Sequence, residues 1–129
     1  MEFFIARKVQ GTSFANLTDK VKLGLKDEGF GVITEIDIQK TLKEKINVDF
    51  RKYLILGACN PHFAHRALMA EDKIGVLLPC NVVVQETKTG DLEVMAFDPA
   101  SAMMEMDNPG LSEISVEVRK KLQKVIDNL

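Results

Sequence analysis

Tyr53-Leu54-Ile55-Leu56 is apolar on both of the faces that a strand would present. A strand alternates its side chains between two faces, so an ordinary half-buried strand reads apolar-polar. Four apolar residues in a row instead demand cover on both sides. This segment is therefore expected to be an interior strand of a covered sheet, or a strand in a dimer interface.

Segments of two periods surround it. Phe3 to Val9 reads as a first strand ending at Gly11. Thr12 or Ser13 can cap a helix in which Phe14, Leu17, Val21 and Leu25 form one stripe. Gly29 suits the left-handed residue after that helix. Phe30 to Ile36 is a second strand. Asp37 caps a shorter helix carrying Ile38, Leu42 and Ile46 and ending near Asn47.

Asn60-Pro61 places a cap residue and a first-turn proline at the start of a third helix, which is expected to reach about Asp72. Ile74 to Leu78 reads as another apolar strand. Pro79 cannot donate to a ladder and implies a bulge or break there. Val82 to Glu86 and Leu92 to Phe97 flank Lys88-Thr89-Gly90-Asp91, which has hairpin turn chemistry. Asp98-Pro99 starts a short helix through Met106, and Asn108-Pro109-Gly110 ends it. A last helix follows with Ile114, Val118, Leu122, Val125 and Leu129 on one stripe. Strand and helix alternate three times, then come a hairpin and more helices. The expected fold is one α+β domain over residues 1–129, a two-layer sandwich with a mixed sheet of about five strands and packing helices.

Composition narrows the function classes. The 17 basic and 19 acidic residues are well mixed, so no basic patch invites nucleic acid. No apolar run is long enough to span a bilayer. The first residues lack a basic stretch followed by an apolar one, and the expected location is cytoplasmic. In that compartment the two cysteines are read as reduced thiols, not a structural disulfide.

Both cysteines precede an asparagine and end an apolar run: Gly57-Ala58-Cys59-Asn60-Pro61 and Leu78-Pro79-Cys80-Asn81. Strand ends meeting irregular turns are common locations for binding groups. Cys59, Asn60, Cys80 and Asn81 are the ligand-binding candidates, expected to converge on one pocket. The N-terminus of the third helix would stabilise a thiolate at Cys59, making it the more reactive thiol. The bland readings are a small buried hydrophobe for each cysteine, a helix cap for Asn60 and a bulge-satisfying amide for Asn81. A metal site is a weak alternative: Cys59, His62 and His65 with Cys80 as fourth ligand, for zinc or a non-covalent haem. The usual paired Cys-x-x-Cys spacing is absent. Met95, Met103, Met104 and Met106 suit core or interface packing. Glu35 and Asp37 do not read as an acid/base pair, and Thr12-Ser13 is not a phosphate loop.

Several of these segments resemble the domain of unknown function 302 family. The resemblance rests on Val32 to Leu42, Leu56-Gly57-Ala58-Cys59-Asn60-Pro61, Ala64 to Leu68, Ile74 to Val84 and Phe97-Asp98-Pro99. It implies a small α+β domain, often a homodimer, and no established activity. His62 departs from the family pattern. Two classes of function stand open from the residues. One is a small-ligand-binding or thiol-dependent module centred on the Cys-Asn motifs. The other is a structural or interaction module, acting through homodimerisation or a protein partner, with inert cysteines. No catalytic set or cofactor motif is complete, so no reaction is assigned.

Overall fold

The computed structural model describes residues 3–129. Five strands form one sheet in the order β1-β5-β4-β3-β2. They are β1 (Phe4–Val9), β2 (Gly31–Asp37), β3 (Tyr53–Cys59), β4 (Cys80–Glu86) and β5 (Leu92–Phe97). The helices are α1 (Phe14–Asp27), α2 (Ile38–Ile46), α3 (Pro61–Ala70), α4 (Pro99–Met103) and α5 (Pro109–Asp127). The α+β sandwich is the expected one. The sheet, however, is antiparallel at every pairing and not mixed. Helices α2 and α3 join strands that are antiparallel neighbours, so the alternation of strand and helix does not mean parallel crossovers.

Alternation along the strands sets the two faces. Leu54, Leu56 and Ala58 of β3 face the helices, as do Val82 and Val84 of β4 and Val94 and Ala96 of β5. Against them pack Leu17, Val21 and Leu25 of α1 and Leu111, Ile114, Val118 and Leu122 of α5. The periodic stripes read from the sequence are these core faces. Ser13 accepts from the Asn16 amide and caps α1 at 3.1 Å. Asp37 caps α2 at 3.0 Å. Arg7 donates to the Ile126 and Asp127 carbonyls, placing a cation at the C-terminus of α5 where the helix dipole favours it. Helix α2 contributes no buried residue.

One expected strand is absent. Asp72–Leu77 forms a 3-10 helix, in which Ile74 is buried while Gly75 and Val76 are exposed. Short apolar runs do not distinguish strand from helix by periodicity. The break foreseen at Pro79 is there, with a cis Leu78–Pro79 bond, and pairing resumes at Cys80. The Pro79 ring lies against Gly57 of β3: a Cβ on that glycine would sit 3.0 Å from Pro79 Cγ and collide with Thr34 Oγ1. No helix is long and apolar enough to cross a membrane among the described residues.

Candidate functional site

Cys59 closes β3 and Cys80 opens β4. The two strands pair with Ala58 opposite Cys80 and Gly57 opposite Asn81, so the cysteines fall at the same end of the sheet. Both line one cavity of about 40 Å³. Its walls are almost wholly apolar: Phe30 from the start of β2, Phe63 and Ala67 from α3, Leu78 and Pro79, Pro99 and Met103 from α4, and Ile114 and Val118 from α5. Asn60 and Ser115 add the polar lining. A space of this size holds one or two waters or a single ion. It is far smaller than the several hundred Å³ typical of organic-ligand pockets.

The two thiols differ. Cys59 is partly exposed and Cys80 is 7 % exposed. Burial, and secondarily the neighbouring Cys59, pushes the Cys80 thiol up from 9.0 to about 11. Desolvation penalises the thiolate, and a second thiolate beside it adds repulsion. Cys80 makes no side-chain hydrogen bond among the described residues.

Asn60 occupies the N-cap position of α3, with Pro61 at the first helical position, but its side chain makes no cap bond. Its Nδ2 donates instead to the Glu28 carbonyl at 3.4 Å. Glu28 ends α1, so this buried amide ties the end of one helix to the start of another. The neighbouring Gly29 has φ +84° and leaves room for it, because a Cβ there would lie 3.0 Å from Asn60 Nδ2. The helix-cap reading of Asn60 is thus right about the position and wrong about the bond. The first amides of α3 are left without a side-chain cap.

Asn81 does not join the other three. Strand alternation turns it to the opposite face of the sheet, where it is exposed. It lines a separate, open hollow of about 500 Å³ with Phe3, Phe4, Tyr53, Val83, Met95 and the Leu78–Pro79 segment. Of the four motif residues, Cys59, Asn60 and Cys80 therefore line one cavity and Asn81 lines another. The weak metal alternative is not assembled either. His62 and His65 lie on α3 and do not line the cavity. No cluster of three or more metal-ligating side chains occurs among the described residues.

Sequence reasoning missed the walls. Phe30, Met103, Ile114 and Ser115 come from elements distant in sequence, and no local signal announces that they meet. Asp98 is legible as a cap, and its wider role is not. It accepts from the Ala100 and Ser101 amides, from Ser101 Oγ and from Arg119 Nε of α5 at 3.0 Å. That carboxylate pins α4, and with it Pro99 and Met103, which line the same cavity as Cys59 and Cys80. Of the late methionines, Met103 is buried, whereas Met104 and Met106 are exposed.

No curated protein matches the chain. A solved structure of an uncharacterized conserved DUF302 protein from Bacillus stearothermophilus is similar to it, with 30% sequence identity, 98% of each chain covered and a TM-score of 0.90. The model for the domain of unknown function DUF302 matches residues 5–129, and the chain belongs to that family.

Proposed function

We propose that this chain is a thiol-dependent binding module whose working groups are Cys59 and Cys80. The observation that supports this reading is that Cys59, Cys80 and Asn60 all line one apolar cavity beside an uncapped helix N-terminus. The cavity's size favours chemistry at sulfur over recognition of a large organic molecule. Reduced thiols in such a place fit a cytoplasmic protein. Alkylation of the reduced chain at neutral pH, resolved cysteine by cysteine by peptide mass spectrometry, tests the reading. Cys59 is expected to react while the chain stays folded, and Cys80 to be spared. Reaction of both thiols only at the rate of unfolding would make them inert core residues and end the proposal.

A second reading, homodimerisation, is favoured by the face of the sheet turned away from the core. There Ala6, Met95, Val83, Ile55 and Ile36 lie in register as one apolar row across all five strands. An antiparallel sheet facing water normally shows polar residues on that side. Five strands about 4.8 Å apart and about 20 Å long offer about 480 Å² per copy in flat projection, so two copies reach the roughly 1,000 Å² a specific interface needs. Light scattering is expected to give twice the 14.4 kDa chain mass at high micromolar concentration, and Met95→Asp to halve it. A monomeric wild-type chain there would remove this reading.

A further inference from the structure

We propose that Cys59 and Cys80 together hold one soft monovalent cation of the copper(I) type, bound by the two sulfurs. The inference rests on the thiol-module reading above and names what such a module would take. Three features of the cavity select this ligand class. Its volume of about 40 Å³ suits an ion and not an organic molecule. Its sulfur lining is soft, two thiols with the Met103 thioether among the walls, and such donors select copper(I) among available metals. Among the described residues its walls carry no carboxylate or imidazole, so zinc, which takes four nitrogen, oxygen or thiolate ligands in closed sites, would lack two of them.

Cys80 is 7 % exposed, lines the cavity and makes no side-chain hydrogen bond among the described residues, so its sulfur is uncommitted. Cys59, partly exposed, gives the ion its way in.

Charge and proton balance can be followed. Two S–H bonds break, two Cu–S bonds form, and two protons leave to solvent. Copper stays monovalent, and nothing is oxidised or reduced. The product, two thiolates on one cation, carries a single negative charge in apolar surroundings. Asn60 is committed to the Glu28 carbonyl and does not cap α3. The free amides of the α3 N-terminus therefore remain available to stabilise that charge, together with the positive end of the helix dipole. A side-chain cap would have competed for them.

The test uses the whole reduced chain, titrated anaerobically with copper(I) against a chromophoric copper(I) chelator. One equivalent is expected to move to the protein, with sulfur-to-copper charge-transfer absorption in the near ultraviolet and about two protons released per ion. Cys59→Ser, at a partly exposed position that tolerates the change, is expected to weaken binding at least about 100-fold. A His62→Ala/His65→Ala double variant is expected to bind as the wild type does. Zinc(II) under the same conditions is expected to bind far more weakly. Copper binding that survives Cys59→Ser, depends on the histidines or is matched by zinc would overturn the proposal. So would failure to withdraw copper. In that case rapid alkylation of Cys59 would leave the thiol-module reading standing, whereas inert thiols would end both.

Discussion

Asp98→Ala is expected to destabilise the chain by about 3 kcal/mol, lowering the melting temperature by roughly 10 °C for a domain of this size. One carboxylate, 10% exposed, serves four donors. Losing a helix cap costs about 1 kcal/mol. Breaking a buried ion pair costs about 3–5 kcal/mol, but Arg119 is 41% exposed and recovers part of that from water. Asp98→Asn keeps an acceptor for the α4 amides and is expected to lose about half as much. The loss should not be confined to stability. Pro99 and Met103 ride on α4 and form one wall of the thiol cavity, so Cys80 in the Asp98→Ala protein is expected to alkylate faster than in the wild type. Urea unfolding followed by circular dichroism gives the first number. A loss below about 1 kcal/mol would mean that α4 is held by packing alone.

Raising the pH from 9 to 11 is expected to cost about 2 kcal/mol of stability through Cys80 alone, because a tenfold change in proton affinity between the unfolded and folded chains is worth about 1.4 kcal/mol. The sign follows from which state holds the proton more tightly. The folded chain keeps the Cys80 proton to about pH 11, whereas the unfolded chain releases it near 9.0. Between those values the folded state binds more protons, so stability falls as pH rises. Below pH 9 the contribution is fully present and constant. Cys80→Ser removes the titrating group and leaves the rest of the sequence unchanged. Its stability starts lower, because the packing changes, but should decline less steeply over the same range. Equal slopes for the two proteins would show that Cys80 is not the buried thiol described above.

Periodicity exposes the core faces of α1 and α5 because 3.6-residue spacing is a property of the local chain. Caps are equally legible at Ser13, Asp37 and Asp98, where a short polar side chain reaches amides two or three residues on. What stays hidden depends on residues that meet only after folding. Strand direction is such a property: nothing in β2-α2-β3 says that the helix returns the chain antiparallel. Asn60 is another, since its hydrogen bond goes to Glu28, 32 positions away. The apolar run from Ile74 to Leu78 makes a strand only if both its faces are covered, whereas Val76 is 88% exposed. For the site, two similar motifs suggest four converging groups. Two-residue alternation along β4 lets only Cys80 face the core-side cavity and sends Asn81 through to the other side.

Everything proposed for the thiols requires Cys59 and Cys80 to share one small cavity, and a bridging thiol reagent addresses that requirement without an intermediate step. Arsenite is small enough for a cavity of about 40 Å³ and condenses with two neighbouring thiols, each As–S bond formed releasing one water. The folded, reduced chain is expected to take up one arsenic and yield an intramolecular Cys59–Cys80 bridge, seen by mass spectrometry as one adduct joining the two peptides. The bridge should form faster in the folded chain than in denaturant, where closing the intervening loop costs entropy. A folded chain that takes up the reagent at Cys59 alone, and bridges the two cysteines only once unfolded, would contradict the shared cavity.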